Sequence, residues 1–254
     1  MSYVNREGVN IYYEDHGSGD NAIILSHGYS ATSGMWRGQI DALKDNYRVI
    51  TWDMRGHGQS DSPDDASLYS EAHTVGDMSA ILDICGVSKA MIGGLSLGGY
   101  MSLAFNVIHP NRVTALMLFD TGPGYKKDSA RDGWNKMAGE RAVALETDGL
   151  AALGTGSEVQ LASHRSAQGL AHAARGMLAQ VDDRVIQSLP EISLPTLVLV
   201  GENDQAFLVP TDYMALKIPG AKKVVIKDAG HASNIDQPEA FNMAVREFIE
   251  GIDW

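Results

Sequence analysis

The residues with the plainest chemistry lie in Gly93-Gly94-Leu95-Ser96-Leu97-Gly98-Gly99. A short apolar run, Ala90-Met91-Ile92, precedes them, and a helical pattern from Tyr100 to Phe105 follows. Strand, Gly-x-Ser-x-Gly, helix is the setting of a nucleophile elbow, a sharp turn that lifts a serine hydroxyl above the end of a sheet. Such a turn strains the serine backbone and crowds its neighbours, and Gly94 and Gly98 suit it because they carry no Cβ. A serine hydroxyl is a weak nucleophile at neutral pH. It needs a base, usually an imidazole, and a carboxylate to orient that base.

The chain has eight histidines, and the surroundings of His231 single it out. It follows the β-branched run Lys223–Ile226 and sits in a loop, Lys227-Asp228-Ala229-Gly230-His231. The preceding apolar strand, Thr196–Val200, ends in Gly201-Glu202-Asn203-Asp204. Asp204 and His231 are thus expected on the loops after two consecutive strands. Asp120, at the end of Val113–Phe119, is the rival carboxylate. Asp204 is preferred because its loop directly precedes the one bearing His231, while Asp228 lies too near His231 to orient its ring. Oxyanion donors complete the chemistry: the backbone N–H of Leu97, and that of Tyr29, where Gly28 lets the chain turn inward after the strand Ala22–Leu25. His27 is expected to fix this loop through its ring nitrogens, and His57 to serve as a turn residue. His16, His73, His109, His164 and His172 lack a motif and are read as surface or packing residues.

On these residues the chain resembles the α/β-hydrolase superfamily over nearly its whole length. The chain order Ser96, Asp204, His231 is the one found there. Thr51-Trp52-Asp53-Met54-Arg55-Gly56-His57-Gly58-Gln59-Ser60 and the tail from Ala229 to Glu239 are similar to its small esterase, lactonase and carbon–carbon hydrolase branches. The resemblance implies a Ser96–His231–Asp204 triad with oxyanion donors at Tyr29 and Leu97. Ser96 at the elbow argues against relatives that use an aspartate nucleophile, and the Gly94–Gly99 run looks like that of enol-lactonases. The expected function is a serine hydrolase cleaving a small carboxylic ester or lactone through an acyl-serine intermediate. The alternatives are a carbon–carbon bond hydrolase of dienone acids on the same triad, or a small-ligand receptor of this fold with little turnover.

Positioning these groups requires loops beyond the carboxyl ends of neighbouring strands. Val9–Glu14 alternates like an edge strand, and buried strands follow near Ala22–Leu25, Arg48–Thr51, Ala90–Ile92, Val113–Phe119, Thr196–Val200 and Lys223–Ile226. Helical patterns near Met35–Leu43, Ser70–Cys85, Gly99–Ile108, Pro210–Lys217 and Pro238–Ile249 separate them. This alternation predicts a mostly parallel sheet covered by helices on both faces, which the resemblance implies is an α/β-hydrolase fold. The alternation lapses between residues 122 and 191, where Trp134–Thr147, Gly149–Leu153 and Ser166–Val181 are helix-forming. The core is therefore expected in residues 1–121 and 192–254, with 122–191 inserted as a helical cap. Trp134 and Met137 on the cap, and Phe207 after Asp204, are candidates for an apolar substrate pocket.

Composition narrows the classes. A length of 254 residues, 44% hydrophobic and 20% charged, suits one globular core with an insertion. A net charge of −12 disfavours nucleic acid and anionic membranes as partners; the partner that the resemblance implies is a small-molecule ester or lactone. No His, Cys or Asp spacing resembles a metal site, no phosphate or dinucleotide fingerprint is present, and the chemistry needs no cofactor. The single cysteine, Cys85, is expected to be a buried structural thiol, and with no disulfide, signal pattern or long apolar run the expected location is cytoplasmic. A monomer or small homo-oligomer is expected.

Overall fold

A computed structural model describes residues 2–252. Eight strands form one sheet: β1 (Ser2–Arg6), β2 (Val9–His16), β3 (Ala22–Ser26), β4 (Arg48–Trp52), β5 (Ala90–Leu95), β6 (Val113–Phe119), β7 (Thr196–Gly201) and β8 (Lys222–Ile226). Their spatial order is β1-β2-β4-β3-β5-β6-β7-β8. The pairings of β1 with β2 and of β2 with β4 are antiparallel; all others are parallel. The helices are α1 (Arg37–Leu43), α2 (Glu71–Ile84), α3 (Leu97–Ile108), α4 (Asp128–Asp148), α5 (Ser157–Gln160), α6 (Ala167–Ala173), α7 (Arg184–Ser188), α8 (Leu208–Lys217), α9 (Ser233–Asp236) and α10 (Pro238–Ile249).

Period-2 alternation along each central strand builds two cores. Ile23 and Leu25 of β3, Met91 and Leu95 of β5, and Ala115, Met117 and Phe119 of β6 pack on one face with Trp36, Phe241, Val245 and Phe248. Ala22, Ile24, Ala90, Ile92, Leu116 and Leu118 face the other way, onto Met78, Ile81 and Leu82 of α2 and Met101 and Phe105 of α3. Burial on both faces is what a parallel sheet requires and explains why these strands read as unbroken apolar runs.

The first hairpin departs from expectation. Ser2–Arg6 is a strand, so β2 is flanked on both sides and buries half of its residues, and β1 forms that edge instead. The cause is the two-residue turn at Glu7-Gly8, with φ of 55° and 82°, which closes a hairpin in the register Arg6↔Val9. Between β6 and β7 the described residues hold helices and turns only, and α6 runs on into a π-helical turn over Ala174–Leu178. No helix of the described residues is long and apolar enough to cross a membrane.

Connectivity locates the site. From β3 the chain crosses to β4 on one side, whereas β5 leads to β6 on the other, so β3 and β5 are neighbours whose connections diverge. A crevice opens beyond the carboxyl ends of strands at such a switch point. In the register Ser26↔Gly94, those ends carry His27-Gly28-Tyr29 and Ser96-Leu97 side by side.

Candidate active site

Ser96 joins β5 to α3 with φ 55° and ψ −116°, a strained conformation for a residue with a side chain. The turn is enforced from both sides. The Ser96 N–H donates to Phe119 O at 2.9 Å, and its carbonyl accepts from Thr121 Oγ1 at 2.6 Å. A Cβ at Gly94 would stand 2.4 Å from the Gly98 carbonyl carbon, and one at Gly98 would stand 2.1 Å from Ser26 O, so neither position admits a side chain.

Asp204 and His231 come together across two loops. Backbone bonds lay those loops side by side: Glu202 N–H to Ile226 O at 2.8 Å and Asn203 N–H to Ala229 O at 2.9 Å. His231 Nδ1 lies 2.8 Å from Asp204 Oδ2, and Phe207 stacks on the imidazole with ring centroids 5.1 Å apart. Burial works to lower the His231 pKa, but the hydrogen bond and charge of Asp204, with lesser help from Asp120 and Glu158, hold it above the ordinary imidazole value. With Nδ1 committed to the carboxylate, Nε2 is the nitrogen left for proton transfer. Ser96 and His231 share the wall of one cavity, with no hydrogen bond between their side chains.

Asp120 occupies a different place. Its Oδ1 accepts from Gly201 N–H at 2.7 Å and its Oδ2 bonds the Ser233 hydroxyl, so it braces β7 and α9 beneath the imidazole. Burial pushes its pKa up to about 7. Asp228 lies in the turn before His231 with φ 57° and makes no bond to its ring.

Tyr29 and Leu97 both line this cavity, and among the described residues neither backbone N–H has a hydrogen-bond acceptor. An unsatisfied N–H in a buried loop is uncommon, and two together form a site for negative charge. Histidines brace the Tyr29 loop. His27 Nδ1 lies 2.7 Å from Gly28 O, and Ser30 N–H donates to His57 Nε2 at 3.2 Å. His57 is fully buried, more than a simple turn residue. Sequence reasoning missed His164, whose Nε2 lies 2.9 Å from Ser30 O. No local motif marks it, because its partners lie far away in the chain. Burial drives the pKa of all three rings down, that of His27 to about 4, so they are neutral at physiological pH.

The cavity has a volume of about 480 Å³, and Trp134, Met137 and Phe207 lie in its wall with Ser96 and His231. The helical segment between β6 and β7 supplies more than half of its lining residues, with Trp134 Nε1–H anchored on Leu178 O at 2.8 Å. In the same wall, Arg141 has no ion-pair partner among the described residues and Gln180 Oε1 is buried without a donor. Cys85 lies outside the site, half-buried rather than fully enclosed, and burial pushes its thiol up to about 11.

A parallel sheet in which β2 alone runs against the other strands, with a cavity over its switch point, is the arrangement of an α/β-hydrolase. Residues 21–173 match the family model for the alpha/beta hydrolase fold. The chain is 31% identical to 3-oxoadipate enol-lactonase 1 of Acinetobacter baylyi, over 98% of this chain and 96% of that protein. Among solved structures it is similar to a thermophilic esterase from Thermogutta terrifontis, with 29% identity, a TM-score of 0.83 and 98% of each chain covered. It is also similar to the enol-lactonase from Burkholderia xenovorans, with 26% identity, a TM-score of 0.78 and coverage of 98% and 100%. The chain belongs to the alpha/beta-hydrolase family, in its esterase- and lactonase-like branch.

Proposed function

We propose that the protein is a serine hydrolase that cleaves small carboxylic esters or lactones through an acyl-Ser96 intermediate. The observation that carries this is the convergence on one cavity of an elbow serine, a carboxylate-held imidazole and two acceptor-less amides. Enol-lactonase and esterase relatives support the choice of ester and lactone substrates.

In the first step His231 Nε2 takes the Ser96 proton as Oγ attacks the carbonyl carbon. The carbonyl oxygen gains charge and rests on the Tyr29 and Leu97 amides, each worth on the order of 3 kcal/mol to the transition state. His231 then passes its proton to the departing alcohol, which stays tethered when the substrate is a lactone. Water, activated by the same nitrogen, releases the acyl group and restores Ser96. Asp204 holds the ring and stabilises its cation. The segment over residues 122–191 acts as a cap, with Trp134, Met137 and Phe207 as the apolar contacts for substrate.

A fluorophosphonate read by intact mass tests the first step. The wild type should gain one adduct and Ser96→Ala none, and an ester and lactone panel then defines the substrate. A well-folded wild type that takes no label and turns over no ester would overturn the reading and favour a receptor.

A further inference from the structure

Three imidazoles hold the Tyr29 loop, one on each of three successive peptide units. The Gly28–Tyr29 carbonyl receives His27 Nδ1–H at 2.7 Å and Ala31 N–H at 3.1 Å. A trans peptide is planar, so anchoring that oxygen aims the Tyr29 N–H in the opposite direction. The Tyr29–Ser30 unit donates its N–H to His57 Nε2 at 3.2 Å. The Ser30–Ala31 unit presents its carbonyl to His164 Nε2 at 2.9 Å. The far nitrogen of each ring finds a second backbone group in one turn. Met54 N–H donates to His27 Nε2 at 2.9 Å, His57 Nδ1 faces Arg55 O at 3.0 Å, and Gly58 N–H donates to His164 Nδ1 at 3.1 Å. These partners dictate the tautomers. His164 accepts at Nδ1, so its proton sits on Nε2 and points at Ser30 O.

The third ring differs in origin. His27 and His57 belong to the turns after β3 and β4, whereas His164 comes from the segment inserted between β6 and β7, 134 residues from Ser30. Its neighbour Arg165 reinforces the contact, donating from Nε to Gly58 O at 3.2 Å. Ser30 needs such restraint, since its φ of 59° is disfavoured for a residue with a side chain. Ala31 N–H, in the peptide that His164 fixes, is also the second donor to Gly28 O, so a shift at His164 is passed directly to the peptide carrying the Tyr29 amide.

We propose that His164 is a positioning residue through which the inserted segment aligns the Tyr29 amide with the developing oxyanion. The inference rests on reading Tyr29 as an oxyanion donor. Two substitutions separate alignment from packing. Glutamine places its carboxamide nitrogen where Nε2 sits and still donates to Ser30 O; asparagine reaches only the Nδ1 position and keeps Gly58 alone. With one ester substrate, His164→Asn should lower kcat about tenfold or more while KM holds, a fraction of the effect of deleting an oxyanion donor outright. An aryl trifluoromethyl ketone, which forms a tetrahedral adduct with a nucleophilic serine, should lose affinity by the same factor. His164→Gln should stay near the wild type in both measurements. If His164→Asn does not fold, His164→Ala is compared with His164→Gln in the same way. Equal losses in the two variants, a loss carried by KM alone, or no loss in either would overturn the proposal. Labelling and turnover of the wild type test the reading of the site separately, so the two failures cannot be confused.

Discussion

Two buried carboxylates follow neighbouring strands, and only one of them holds the imidazole. Asp204 bonds His231, while Asp120 binds Gly201 N–H and the Ser233 hydroxyl beneath it. Asp204→Asn should therefore misorient the ring and lower kcat on the order of 10³-fold or more. Asp120→Asn keeps an acceptor for Gly201 and offers Ser233 an N–H that its hydroxyl oxygen can accept in place of the bond it donates, so turnover should stay close to wild type; the reverse outcome would exchange their roles. The pH profile adds a second check. In the proposed mechanism His231 must be neutral to act as the base, and Asp204 holds its pKa above the ordinary value of about 6.5, so the acid limb of kcat/KM should lie above that value. Asp204→Asn should move the limb downward. Asp120 reports on stability instead. Its pKa is raised to about 7 in the folded state, so its contribution is full below the usual carboxylate range and is lost as pH rises from about 4 through 7. Urea unfolding of Asp120→Asn should lack that decline. The strand-end placement of Ser96, Asp204 and His231 was legible in the sequence because each sits in a short local pattern. His164 was not, because what gives it meaning is a carbonyl on a distant loop.

Among elements, the strand–elbow–helix unit of β5, Ser96 and α3 has little freedom. A methyl group at Gly98 would meet Ser26 O at 2.1 Å, and that oxygen belongs to the paired strand β3 and cannot retreat. Gly98→Ala should thus cost about 3 kcal/mol of stability and most of the activity together, measured by urea unfolding and ester turnover. Elements whose pattern reports burial were also legible: the central strands, α3 and α10 appear where apolar runs and periodicity put them. The elements that escaped are short or polar. β1 is five residues with mostly exposed side chains, announced only by the Glu7-Gly8 turn, and α9 is a single turn of four residues.

At the scale of the whole molecule, sheet and helical layer are joined by a buried ion pair. Arg55, on the turn after β4, donates from Nε and Nη2 to Asp77 of α2 at 2.6 and 2.8 Å and from Nη1 to Leu68 O, with both charged side chains at 0% exposure. Arg55→Leu alone leaves a buried carboxylate without its main partner and should cost about 3–5 kcal/mol, whereas Arg55→Leu with Asp77→Leu should recover much of that loss. Equal destabilisation of the single and double variants in urea would contradict this account. The acidic balance and the α/β layering were readable from the chain as a whole, but this pair was not, since neither partner lies in a pattern that names the other. The adjacency of β3 and β5 carries a broader consequence. The Tyr29 and Leu97 amides lie just beyond two hydrogen-bonded parallel strands, whose separation of about 4.8 Å is common to all sheets. The backbone ladder thus sets the spacing of the two loops that carry these amides, while His27, His57 and His164 set the aim of the Tyr29 loop. On the proposed reading, sequence drift between β6 and β7 at positions other than His164 can reshape what enters while that spacing stays constant, so new substrates can be tried without rebuilding the chemistry.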